Sequence, residues 1–316
     1  MKQADTGSLK IGDLNTKKPF YYFLRDWQLY ALVFLPMLFV ILFKFVPMFG
    51  LIIAFKDYKI ARGFWGSSWV GFKVFQDVFS HRLFLPALRN TLLLNLLDLV
   101  MGFPMPIILA LLLNEISVRW FKRTTQTLLY LPHFLSWVII GALAYQLFSA
   151  NTGMVNNLID MMGGKRFPFL TADTPWLVSY VVIGMWQTMG WGTIIYLASI
   201  SGINPELYEA AMIDGAGRLR QCFSITIPCI RSTIVILLIM NLGRIMGGSF
   251  ERIYALANVA ATEYTTTIPV LVYRWGIQSM NFSRATALGL FQSVIGLIMV
   301  LGSNFISKRL GEEGLI

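Results

Sequence analysis

Six stretches of this chain are each long and apolar enough to cross a lipid bilayer as a helix: residues 29–53, 87–113, 127–149, 176–200, 233–250 and 285–306. A bilayer core about 30 Å thick needs roughly 20 residues of helix. No water reaches the hydrocarbon to satisfy the backbone, so only helices and closed barrels span it. Barrel strands alternate apolar and polar over about 10 residues, and these runs are continuously apolar instead. The expected fold is therefore all-α: a polytopic membrane protein with six transmembrane helices. Composition agrees, with 56% hydrophobic and 13% charged residues. Soluble domains run at about 45–50% and a quarter, so both a water-soluble globule and a disordered chain are excluded. The net charge of +10 is better explained in so apolar a chain by anionic membrane lipid and cytosolic partners than by nucleic acid.

Six spans place both termini on one side. The clusters Arg119-Trp120-Phe121-Lys122-Arg123 and Lys308-Arg309 put that side inside the cell, since basic residues are retained there. Trp27 and Trp120 on one side, and Trp65, Trp69, Trp176 and Trp275 on the other, fit interfacial belts. The polar first 28 residues read as a cytosolic tail. The first span is too long for a signal-peptide core, so no cleaved signal is expected. Residues 29–85 hold the first span and an outside loop, 86–306 the core, and 307–316 a second cytosolic tail.

Most chemistry is missing. The chain has no G-x-x-x-x-G-K-[ST], H-E-x-x-H, C-x-x-C or G-x-S-x-G, and Gly163-Gly164-Lys165 lacks both the spacing and the following hydroxyl of a phosphate loop. Cys222 and Cys229 form neither a disulfide framework nor a zinc site, and His81 and His133 fall on different expected sides of the membrane. No catalytic residue and no metal site is expected.

One loop carries a sharp pattern. Asn204-Pro205-Glu206-Leu207-Tyr208-Glu209-Ala210-Ala211-Met212-Ile213-Asp214-Gly215-Ala216-Gly217 reads as a short helix. Asn204 serves as N-cap, Pro205 takes the first position, and Glu206 lies at the positive dipole end. Gly215 and Gly217 end the helix with a sharp turn. The segment Ile225-Thr226-Ile227-Pro228 follows before the fifth span.

This pattern (Glu209-Ala210-Ala211, Gly215, then Ile225-x-Ile227-Pro228) resembles the EAA loop of ABC importer permeases, with Ile227 where Leu is usual. Residues from about Pro86 to Ile306 are similar to the core of type I importer permeases. Trp27-Gln28-Leu29-Tyr30, Phe43-Lys44-Phe45-Val46-Pro47-Met48 and Ala54-Phe55-Lys56-Asp57-Tyr58 resemble the polysaccharide-permease branch of the maltose-type carbohydrate group. The large extracytoplasmic insertion of some maltose permeases is absent. The resemblance implies a bacterial inner-membrane subunit that pairs with a second, similar permease, two ATPase subunits and an extracytoplasmic solute-binding protein. ATP and Mg²⁺ would be bound by the ATPases and no cofactor by this chain. The loop 201–231 would hold the coupling helix, with Glu209 facing a basic residue of the ATPase. Ala210 and Ala211 would allow close approach, Gly215 would make the turn and Pro228 would close the loop.

Polar residues within the spans supply candidate contacts, because burying them in a membrane is costly. In the fourth span Gly184, Gln187, Thr188 and Trp191 share a face, and in the fifth Asn241 and Arg244 do so. Counted from the EAA glutamate, sugar-contacting positions of maltose-type permeases fall near Gly184, Gln187, Thr188, Trp191, Arg244 and Gly248. A satisfied bundle interior accounts for the fourth-span face equally well, and helix–helix contact for the G-x-x-x-G at Gly243 and Gly247. A guanidinium in mid-span suits a uronate carboxylate. It suits equally a structural pair with Asp98 or with an acid of the partner permease. Lys44 and Asp98 lie at matching depths in the first and second spans, so an ion pair between them is one reading; the other has Lys44 snorkelling outward from a shorter span and Asp98 facing the cavity or the partner permease. The expected function is import of an oligosaccharide, uronate-bearing ones included, driven by ATP hydrolysis on the partner subunits. The rival class is a self-sufficient secondary transporter or channel, which calls for inverted repeats or paired broken helices.

Overall fold

The computed structural model describes residues 27–248, 250–257, 263–309 and 311. The chain forms two compact units, Met1–Ile52 and Ile53–Ile316. The expected N-terminal tail lies outside the described residues except for Trp27 and Gln28, as do Leu310 and residues 312–316 of the expected C-terminal tail.

The first unit contains α1 (Trp27–Val40) and a wide π turn over Ile41–Phe45, which leads into a tighter 3-10 stretch, Val46–Phe55, whose last three residues belong to the second unit. Every residue of α1 is exposed, as expected of an apolar helix that is soaked in lipid. Pro47 follows the wide turn by two residues. Proline lacks the N–H and its ring crowds the carbonyl four residues back, so the ladder widens to an i, i+5 bond just ahead of it.

The same device recurs twice in the second unit. A π turn at Asp98–Gly102 separates α3 (Phe84–Leu97) from α4 (Pro104–Glu115), and another at Cys222–Thr226 precedes Pro228. In the first of these the Phe103 amide donates to the Asp98 carbonyl at 3.0 Å. Before α3 the second unit opens with a two-stranded hairpin, β1 (Lys56–Asp57) against β2 (Ser68–Trp69), in the register Lys56↔Trp69, and then α2 (Lys73–Phe79). Ser283 holds the hairpin: its Oγ donates to the Lys56 carbonyl at 2.6 Å and accepts from the Tyr58 amide at 2.9 Å.

Among the described residues, four helices are long and apolar enough to cross a membrane unbroken: Trp27–Phe55, Phe84–Glu115, Asp173–Ser201 and Phe282–Arg309. The third and fifth expected spans are broken instead. Residues 127–149 divide between α5 (Arg119–Tyr130) with the turn Leu131–Phe134 and α6 (Trp137–Phe148), which meet at 103°. Pro132 interrupts the ladder, and Ser136 starts the new helix by accepting from the Ile139 amide at 3.4 Å. After α7 (Met154–Met161) comes the unbroken α8 (Asp173–Ser201), then α9 (Glu206–Ile213), α10 (Arg218–Gln221) and α11 (Arg231–Gly243). Arg218–Cys229 and α11 meet at 61°.

The fifth span ends at Gly243, short of the expected residue 250. The Arg244 and Ile245 amides close a turn on the Asn241 and Leu242 carbonyls, and Gly248 takes φ +51°, a left-handed conformation that favours glycine. The chain then re-enters as α12 (Phe250–Leu256) before α13 (Ile268–Tyr273) and α14 (Phe282–Arg309). Arg252, placed by the sequence in an outside loop, is consequently 3% exposed.

Three apolar clusters hold the second unit together. One joins α2, α3, α13 and α14 around Phe84 and Leu288, and a second joins α6, α8 and α12 around Trp176 and Tyr180. The third joins α4, α8 and α11 around Tyr196. Small residues let backbones approach, as is usual in membranes. A Cβ on Gly190 would lie 1.9 Å from the Leu129 carbonyl oxygen, and one on Gly243 would lie 2.3 Å from Val300.

Candidate functional site

Two regions stand out. The first is the loop of α9 and α10. The Asn204 carboxamide oxygen accepts from the Glu206 amide at 3.1 Å and Pro205 already has helical dihedrals, so Asn204 caps the helix where the sequence placed its cap. At its other end the Ala216 amide donates to the Ala211 carbonyl at 2.8 Å, with Gly215 at φ +73°. That is the Schellman closure, which a glycine at C′ permits. Tyr208 points inward, its hydroxyl 2.9 Å from Thr226 Oγ1, and Gln221 Nε2 donates to the Ala216 carbonyl at 2.8 Å. Arg218 reaches Glu115 at the end of α4 at 3.6 Å. Around the Tyr208 anchor, Leu207, Glu209, Ala210, Met212 and Ile213 are exposed, as is Pro228 further along the loop, with Ala211 half-buried.

The second region is a cavity of about 560 Å³ enclosed by α3, its π turn, α4, α8, α11 and the re-entrant segment. That volume is ordinary for a ligand site. Gly184, Thr188, Trp191, Asn241, Arg244 and Gly248 all line it, together with Asn95, Asp98, His133 and Arg252. Gln187 is buried but is not part of the wall. The Thr188 hydroxyl donates to the Gly184 carbonyl at 2.9 Å, and Asn241 Nδ2 donates to the Leu237 carbonyl at 2.8 Å, so the free valences of both are mainly acceptors.

Two of the wall residues that the sequence left unassigned shape the chemistry of the cavity. His133 stacks on the Trp191 indole, with ring centroids 4.5 Å apart and planes inclined by 8°, while Phe134 meets the same ring edge-on at 6.2 Å. The turn after α5 delivers this pair, and Pro132 next to His133 was the only hint. Arg252 is the other. Its guanidinium ion-pairs with Asp98 and donates to the Tyr180 hydroxyl. It also lies over the Tyr180 ring at 3.7 Å and the Trp137 ring at 5.7 Å. The partner expected for Asp98 was Lys44, and the alternative was Arg244. Within the second unit Asp98 pairs with Arg252 and not with Arg244, because the turn at 244–248 carries α12 back against α8, while Lys44 belongs to the first unit. Gly184 is part of the same arrangement, since a Cβ there would lie 1.7 Å from Arg252 Nη1. Arg244 itself is exposed to the cavity and has no acidic partner among the described residues.

Comparison with known proteins places this geometry. Residues 102–312 match the family model for binding-protein-dependent transport system inner membrane components. Protein LplB of Bacillus subtilis is 44% identical over 92% of this chain and 92% of its own length. The polygalacturonan/rhamnogalacturonan transport system permease protein YteP of the same organism is 44% identical over 92% and 91%. Among solved structures, a chain of a bacterial alginate ABC transporter, in complex with a periplasmic protein carrying an alginate pentasaccharide, is 38% identical. It superposes with a TM-score of 0.86, covering 95% of this chain and 100% of that one. A second structure of a transporter for alginate, described as an acidic polysaccharide, gives the same score and identity. The chain belongs to the family of binding-protein-dependent transport system inner membrane components, and is a multi-pass permease subunit of an ABC importer with the type I fold.

Proposed function

We propose that this permease imports anionic oligosaccharides, and that its cavity contacts the cargo directly. The observation that carries the reading is the presence in one cavity of an uncompensated guanidinium, Arg244, and an aromatic platform, Trp191 backed by His133. A guanidinium takes a carboxylate through two parallel hydrogen bonds. An indole face suits the apolar C–H face of a sugar ring, and the lone pairs of Thr188 and Asn241 suit its hydroxyls. A charge at this depth calls for a partner, and an incoming uronate supplies one. The cargoes for which the relatives are named, polygalacturonan/rhamnogalacturonan for YteP and the acidic polysaccharide alginate for the solved transporter, support the same class.

In this reading the chain works beside a second permease, two ATPase subunits that bind ATP and Mg²⁺, and an extracytoplasmic binding protein. Both termini face the cytosol, where the exposed side of α9 docks on an ATPase subunit. Closure of the ATPase dimer would rotate α9 and switch the paired permeases between inward- and outward-facing states. The earlier alternative, a self-sufficient secondary transporter or channel, falls with the family assignment. The test is Arg244→Gln in the complete complex reconstituted in vesicles, comparing uptake of an acidic and a neutral oligosaccharide of equal length. Acidic uptake should fall by about tenfold or more, the worth of a charge-assisted hydrogen bond or two, with neutral uptake retained. Equal loss of both, or no loss, rejects the reading.

A further inference from the structure

The cavity wall contains one carboxylate, and a buried cation covers it. The charged groups among the described lining residues are Asp98, Arg244 and Arg252. Asp98 and Arg252 form a pair whose members are unequally hidden: the Asp98 side chain is 28% exposed, that of Arg252 only 4%. The arginine turns little of its surface to the cavity it helps to line, held by the Tyr180 ring at 3.7 Å, the Trp137 ring at 5.7 Å and the bare Cα of Gly184. The acid is therefore the member that faces the cargo.

A bare carboxylate at that place would repel an anionic sugar and compete with it for Arg244, and in a low-dielectric cavity both effects are strong. We propose that Arg252 sets the charge selectivity of the cavity without touching the cargo. It masks Asp98, so that the wall presents a single net positive charge at Arg244. The inference rests on the anionic-cargo reading and deepens it, by assigning selectivity to a positioning residue beyond the ligand. It also accounts for the absence of a side chain at Gly184, the space that Arg252 occupies.

The test measures the ratio of acidic to neutral oligosaccharide uptake by the reconstituted complex. Arg252→Gln, which uncovers Asp98, should lower the ratio by about tenfold, the scale of a like-charge juxtaposition. Asp98→Asn should keep it at or above wild type. The double variant Asp98→Asn/Arg252→Gln should return it to within about twofold of wild type, because removing both partners of a buried pair costs less than breaking it. A pair that only braces the helices would lower both cargoes together and leave the ratio unchanged, which overturns the inference. A double variant as low as Arg252→Gln does the same. Should Arg252→Gln fail to accumulate in the membrane, the other two variants decide alone, and a ratio below wild type in Asp98→Asn overturns the masking role. Wild type and Arg244→Gln in the same vesicles separate the two claims. No acidic preference in wild type, or one that survives Arg244→Gln, brings down the cargo reading and the inference with it. A preference lost in Arg244→Gln but kept in Arg252→Gln brings down the masking role alone.

Discussion

The α9 loop and the cavity are built in opposite ways. The groups that cap, turn and anchor the loop come from one continuous segment: Asn204 starts the helix, Gly215 ends it, and Tyr208 is anchored on Thr226. The cavity instead gathers Asp98, His133, Trp191, Arg244 and Arg252 from widely separated parts of the chain. A local motif can be disabled at a single backbone position, because its shape depends on a few dihedral angles. A site gathered from distant elements is graded, since each wall residue contributes its own share of binding.

The sharpest contrast is expected at Gly215. Its φ of +73° is closed to proline, which is locked near −65°. Gly215→Pro should leave the protein in the membrane and the cavity intact, yet abolish substrate-stimulated ATP hydrolysis by the assembled complex. Glu209→Lys should do the same by reversing the charge on the exposed face. Normal stimulation in either purified, reconstituted variant removes that residue from the coupling role.

A smaller, graded effect is expected at Trp191. Trp191→Ala removes the platform shared with His133, and an aromatic contact is worth about 0.5–1.5 kcal/mol beyond the area it buries. Affinity should weaken by roughly 3- to 10-fold for acidic and neutral oligosaccharides alike, and Trp191→Phe should recover most of it. Transport titrations with both cargoes check this, and a loss confined to the acidic one would transfer charge recognition to the His133–Trp191 pair.

The smallest effect is expected at Tyr208. Tyr208→Phe deletes one half-buried hydrogen bond to Thr226, which costs about 0.5–1.5 kcal/mol. Stimulated ATP hydrolysis should stay within about twofold of wild type, since a single neutral hydrogen bond is a modest share of the loop's hold. Complete uncoupling would mean that the loop is held by this contact alone, and would erase the contrast with Gly215.

The loop was legible in the sequence because its rules are local: a cap, a prolyl first turn, a left-handed glycine and a fixed offset to Pro228 all act within a few residues. The placement of Gly184, Thr188 and Trp191 on one wall follows from the 3.6-residue period of an unbroken helix. Gln187 shows where that reasoning stops, for it satisfies the same periodicity yet turns into the packed interior. Periodicity defines a face but not which neighbour covers each part of it.

The sequence by itself determined the membrane-spanning all-α class, through the length of its apolar runs, and the α9 loop, through its turn chemistry. Proline positions also carried information that the hydropathy of the spans obscured, since three of the wide turns stand two residues before Pro47, Pro104 and Pro228. Only the tertiary structure decided that the third span breaks at Pro132 and that the fifth ends at Gly243, because whether a helix bends or ends depends on what packs against the freed backbone. It alone gave Asp98 its partner. An ion pair between residues so far apart in the chain is set by where two backbones meet, and here the meeting depends on a glycine turn folding α12 back against α8.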